Sequence, residues 1–201
     1  MVSNPKAAVE TRMRIMQTAF NEFYRRGFQG ASLNRIVEEA STTKGALFHH
    51  FSGKSDLGHA VIDELLYPEV KAVWIDPLQK TDQPIETIAF ILNKLVSDCS
   101  GDRLCQGCPL NNLAQEMSPL DEDFRLRLER IYSEWREAIE GAFARGMDAG
   151  RIKKTAEPKR IAVFLVACFA GTIGTAKNAQ DPEIFELSGG ALMEYLETQK
   201  V

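Results

Sequence analysis

Three of the four cysteines, Cys99, Cys105 and Cys108, fall within ten residues, and Cys105-Gln106-Gly107-Cys108 has the Cys-x-x-Cys spacing. That spacing serves zinc, a redox pair, or neither. Structural zinc takes four Cys or His ligands. Only three cysteines are local, and His49, His50 and His59 all precede residue 60, so no metal and no other cofactor is expected. A thioredoxin-like pair belongs beside a βαβ pattern, and none surrounds this one. Cys108 has a distinctive setting. It precedes Pro109 at the predicted start of a helix, where free backbone N–H groups and the positive dipole end favour a thiolate and lower the pKa. On that reading Cys108 senses, Cys105 is the resolving thiol, and Lys177 is a candidate cationic neighbour. The alternative is a small buried cysteine packed as an apolar residue.

A second set of residues suits phosphate. Thr43, Lys44, His49 and Lys54 cluster in the sequence, with Ser32 and Thr11 upstream. Hydroxyls, amines and helix N-termini are the groups that position a protein on a nucleic-acid backbone. Lys44 is the best candidate for a base or phosphate contact, and the small Gly45 and Ala46 allow close approach. His49 and His50 are adjacent, so on a helix they point about 100° apart and chelate poorly together.

The elements around this set read as a helix-turn-helix. Leu33, Ile36, Val37 and Ala40 repeat at helical spacing, Ser41-Thr42-Thr43 interrupts, and Ala46, Leu47, His50 and Phe51 resume a helical face. Ser32 is a predicted N-cap of the first helix, and Thr42 or Thr43 of the second. In such a pair the second helix enters the major groove. Charge agrees. The net charge is −4, yet residues 1–58 hold three Lys and five Arg against five acids, a balance of +3 on an acidic remainder.

The rest of the chain is all-α by periodicity, about nine helices in all. Pro5–Glu10 reads as a loose arm before a helix over Thr11–Arg26, which Gly27 ends. A long helix over Ser55–Trp74 should kink or shorten at Pro68, and Asp76-Pro77 to Gln83-Pro84 reads as a connection. Ile85, Ile88 and Leu92 mark one further helix. Phe124, Leu128, Ile131, Trp135, Ile139 and Phe143 mark the longest. Pro158–Lys177 is apolar almost all round and is expected to be buried on most sides. Its uncharged run of sixteen residues is short of the roughly 20 that span a membrane. With no secretory signal at the start, a cytoplasmic protein without a membrane contact is expected.

Ser41-Thr42-Thr43-Lys44-Gly45-Ala46-Leu47-Phe48-His49-His50-Phe51-Ser52-Gly53-Lys54-Ser55-Asp56-Leu57 resembles the TetR family of bacterial transcription regulators, as does Gly27-Phe28 with Ala31-Ser32-Leu33 and Ile36 upstream. The resemblance covers residues 11–60. It implies a three-helix DNA-binding domain over 1–54 and a helical ligand-binding and dimerisation domain over 55–201. It implies a homodimer on double-stranded operator DNA, a repressor released by a small-molecule effector, and no enzyme. By this match His50 faces inward and His49 outward. The chain departs from the pattern twice. Ser41 replaces the usual turn glycine, so a residue with a Cβ must bear a strained turn. Phe48 replaces the usual tyrosine and lacks its hydroxyl.

Gly107-Cys108-Pro109-Leu110-x-x-Leu113-x-x-Glu116 further resembles a subgroup, some of whose members sense electrophiles or oxidants through a cysteine here. The family analogy makes Phe90, Leu113, Trp135, Phe143, Phe164 and Phe169 candidate pocket walls, against a plain-core alternative. Two other functions remain open at this point: a thiol oxidoreductase using Cys105 and Cys108, and a helical adaptor that has lost DNA binding.

Overall fold

The computed structural model describes residues 5–98 and 106–201; among them lie nine helices and no strand. Cys99 and Cys105 fall outside the described residues. The helices are α1 (Pro5–Gly30), α2 (Leu33–Glu39), α3 (Lys44–His50), α4 (residues 54–79), α5 (Pro84–Asp98), α6 (Pro109–Met117), α7 (Glu122–Asp148), α8 (Pro158–Ala179) and α9 (Glu183–Glu197). They divide into two compact units that interleave along the chain. The first holds the residues up to Pro68 together with Asn112–Leu128; the second holds Glu69–Asn111 and Glu129–Val201.

In the first unit α1, α2 and α3 close over Ile15, Met16, Ala19, Phe23, Ile36 and Leu47, with Phe51 and Leu57 beneath. The expected loose arm is instead the first turns of α1, which is helical from Pro5. At its other end Gly27 has φ +73°, outside helical geometry. With ψ 166° this is an extended positive-φ conformation essentially confined to glycine, and it kinks the chain there. Gly58 serves contact: a Cβ there would sit 2.7 Å from ring atoms of both Phe124 and Phe28.

Pro68 does not end or shorten α4. Two π turns, Ile62–Leu66 and Lys71–Ile75, flank the segment Tyr67–Val70 that contains it. Proline has no N–H and crowds the carbonyl four residues back, and wider turns on either side keep the chain helical. The helix continues through Pro77 in its last turn, directly after the second π turn, so the expected connection begins only after Gln79.

In the second unit Trp74, Trp135 and Phe169 form one aromatic cluster, with ring centroids 4.8, 5.0 and 5.6 Å apart. The α7–α8 connection is tied back to the chain end by an antiparallel bridge between Ile152 and Lys200. Helix α8 corrects the expectation of burial on most sides. It is 22 residues long, enough by length and composition alone to cross a membrane, yet it buries one stripe: Ile161, Ala162, Leu165, Val166, Phe169, Ile173 and Ala176. Val163, Phe164, Ala167 and Gly171 face outward. Apolar composition does not by itself choose a burying partner, and among the described residues α8 has partners on one side only.

Candidate nucleic-acid interface

The site is built on α3. Thr43, in extended backbone, is its N-cap, and its Oγ1 accepts the Ala46 N–H at 3.1 Å. The cap uses only the oxygen's lone pairs, so the Thr43 hydroxyl proton is left for another acceptor. Leu47 anchors the helix inward with no exposed surface. Lys44, Gly45, Phe48 and His49 stand outward together, with Ala46 and His50 half-buried at the margins. Burial, with the cations of His49 and Arg12, holds His50 below the usual histidine range.

The turn before α3 is strained where the sequence departs from the pattern it resembles. Ser41 has φ +46°, a left-handed conformation that disfavours residues with a Cβ. The chain holds it through Ser41 N–H to Glu38 O and Thr42 N–H to Val37 O, each 3.0 Å. Arg14 adds a bond from Nε to the Ala40 carbonyl at 2.8 Å.

Polar residues far apart in sequence hold this head in place. Glu22 is almost fully buried and accepts from Arg35 Nε at 2.7 Å and from the Ser32 N–H at 3.3 Å. Burial pushes its carboxyl up, but these bonds and the Arg35 and Arg26 charges outweigh it and hold the group below the usual range. Arg12 grips Glu64 through two 2.6 Å bonds, which hold Glu64 low, and lies 5.1 Å from the Phe51 ring centre. Glu116 in α6 accepts the Phe28 and Gln29 N–H groups, each at 2.7 Å. Its Oε2 would lie 2.8 Å from any Cβ on Gly27. None of these three carboxylates stood out as part of the site from sequence. Glu116 had a signal, as the last position of the Gly-Cys-Pro motif, but no assigned task.

Two predicted phosphate ligands are otherwise engaged. Thr11 donates its hydroxyl proton to Ala7 O at 2.8 Å, because the expected arm is helix. Lys54 reaches Gln29 O at 3.1 Å and lies 4.9 Å from the Phe28 ring centre; burial lowers its ammonium pKa. Ser32 stands at the N-cap of α2 but its side chain makes no capping bond.

Cys108 stands immediately before α6, as expected, and the Leu110 and Asn111 N–H groups do favour its charged form. Burial nevertheless dominates and raises the thiol above its ordinary 9.0, with the Glu69 carboxylate adding to the rise. The expected low pKa is therefore reversed, because helix-end donors offset desolvation only in part. Lys177 is exposed at the end of α8 and is not among the groups that shift the thiol. Tyr132 OH lies 3.5 Å from Asn111 Oδ1, and burial drives its pKa upward.

Of the six pocket candidates, Trp135 and Phe169 meet in the aromatic cluster of the second unit. Phe90 is 69% exposed. Leu113 is buried within the first unit. Phe143, Trp135 and Phe169 are core of the second. Phe164 lines an open groove of about 280 Å³ with Tyr195, Ile161, Thr155, Glu157, Arg160 and Gln199. Among the described residues no three His, Cys, Asp or Glu side chains gather as a metal set.

Comparison with known proteins bears on both units. Residues 15–61 match the family described as "Bacterial regulatory proteins, tetR family", and residues 84–189 match "Tetracyclin repressor-like, C-terminal domain". An uncharacterized HTH-type transcriptional regulator in the lacX 3' region of Lactococcus lactis subsp. lactis is 30% identical over 178 residues, 88% of each chain. The HTH-type transcriptional repressor DhaR of Mycobacterium sp. (strain GP1) is 25% identical over 88% of this chain and 87% of its own. A TetR-family regulator from Cytophaga hutchinsonii superposes with a TM-score of 0.85 at 20% identity, over 97% of both chains.

Proposed function

The chain belongs to the TetR family of bacterial transcriptional regulators, and from that premise we propose a cytoplasmic homodimeric repressor whose operator is released by a small molecule. The observation that carries the reading is the outward face of α3, where Lys44, Gly45, Phe48 and His49 stand together beside the capping Thr43. Residues 1–54 read DNA and residues 55–201 hold the effector and the second copy. Val163, Phe164 and Ala167 on α8 and Leu187 and Ala191 on α9 are outward apolar positions, and Cβ atoms on Gly171, Gly174, Gly189 and Gly190 would meet nothing. A second copy burying this face would set two α3 helices on half-sites about 34–36 Å apart or a multiple of that.

Burial of the Cys108 thiol favours a non-covalent effector over thiol modification, since the thiolate is the reactive form. The same burial opposes a Cys105/Cys108 oxidoreductase, which needs an attacking thiolate. The two relatives are a transcriptional regulator and a transcriptional repressor.

A gel shift on DNA from the gene's own upstream region tests the reading. Binding should weaken steeply with salt, and Lys44→Ala should lose it while the dimer persists. A Lys44→Ala protein that binds normally overturns the role of α3. Cys108→Ser tests the release. If N-ethylmaleimide dissociates the wild-type complex but not the Cys108→Ser complex, the signal is covalent and the non-covalent reading fails.

A further inference from the structure

Phe48 stands apart from the other phenylalanines of the first unit. Phe23, Phe28, Phe51 and Phe124 are at most 7% exposed and Phe20 is half-buried beside Tyr24, whereas Phe48 is 54% exposed. It enters none of the ring contacts among the described residues, and it has no hydroxyl to give a phosphate. Its neighbours on the helix face explain what it can reach. Lys44 is one turn earlier at i−4, and Gly45 lies at i−3. A Cβ on Gly45 would meet only Thr43 Oγ1, at 3.8 Å, so the helix surface beside the ring is low and open. In helix-turn-helix docking the second helix lies in the major groove, which turns its outward face, the ring included, toward the base edges.

Only one group on those edges is apolar, the C5 methyl of thymine. Resting on the operator-binding role of α3, we infer that Phe48 is a specificity-determining residue that reads a thymine methyl in each half-site. A ring against a methyl replaces two water contacts by one dry contact, with no hydrogen bond to satisfy. Cytosine at that base would present hydrogen, and the purines would present polar edges. A tyrosine hydroxyl would need a polar partner, so the departure from the family pattern becomes a change of what is read.

The test uses the full-length protein and an operator mapped by footprinting in its upstream DNA. Each half-site thymine is replaced in turn by uracil, which keeps pairing and removes only the methyl. One position per half-site should lose about fourfold in affinity, the worth of a buried methyl-sized group. Phe48→Ala should bind the thymine and uracil operators equally, at the weaker level. If every uracil operator binds wild type as well as thymine does, the inference is wrong. A penalty that persists in Phe48→Ala also overturns it, since another side chain then reads the methyl. Failure to bind any upstream DNA would instead sink the operator-binding role itself.

Discussion

Helices α3 and α6 begin with the same device and end with opposite chemistry. Each is short and is preceded by a residue whose side-chain oxygen or sulfur takes backbone N–H bonds: Thr43 from Ala46, Cys108 from Leu110 and Asn111. Thr43 is exposed, as are Lys44 and Gly45 after it, so that helix end can meet a ligand from outside. Cys108 is half-buried, and desolvation of its thiol overrides the two donors. The position of a residue at a helix start is therefore a weaker determinant of its chemistry than solvation, because desolvation acts on the full charge whereas the donors recover part of it.

The largest effect that would sharpen this contrast is kinetic. Alkylation of Cys108 by iodoacetamide should rise about tenfold per pH unit from pH 7 to 9, because only the thiolate reacts and its fraction is small over that range. Peptide mass spectrometry scores Cys108 separately from Cys168, which is also a free thiol. A rate that stays flat across that range would mean that the N–H donors win after all.

The first unit should respond at the opposite end of the pH scale. Glu22 and Glu64 are held below their ordinary 4.5. A carboxylate with a lowered folded pKa contributes stability that is full above its unfolded pKa and lost as pH falls through the folded one. Thermal melts should therefore fall between pH 5 and 3, and Glu22→Gln should flatten that decline while lowering stability at pH 7. An unchanged slope in Glu22→Gln would remove Glu22 from the account.

Smaller changes probe the capped turn itself. Thr43→Ala should cost about 1 kcal/mol in urea unfolding, the ordinary worth of an N-cap; no loss would mean the cap bond is not formed in solution. Ser41→Gly should add a few tenths of a kcal/mol up to about 1, since relief of the left-handed strain slightly exceeds the entropy that glycine adds to the unfolded chain. Destabilisation instead would show that Ser41 carries the turn at no cost.

Much of the DNA-reading head was legible in order: α2, the turn, α3, its Thr43 cap and the strain at Ser41 all follow from neighbours a few residues apart. Misreadings arose where a residue's fate depended on something distant. Lys54 found Gln29, 25 residues away, and Phe90, apolar and at helical spacing, came out on the surface. Glu116 was visible in a motif, yet its partners Phe28 and Gln29 lie 88 and 87 residues earlier.

By itself the amino-acid sequence determined the all-helical class, the helix-turn-helix and its family, because periodicity, caps and turn residues act over one or two helical turns. Tertiary structure alone decided that desolvation outweighs the helix-end donors at Cys108, that Glu116 fastens the end of α1, and that α8 buries one face and, among the described residues, leaves the other exposed. Burial and long-range pairing depend on what the rest of the chain brings alongside, and no local pattern encodes that. The short helices α3 and α6 carry both halves of the lesson: their starts were written locally, and their exposure was not.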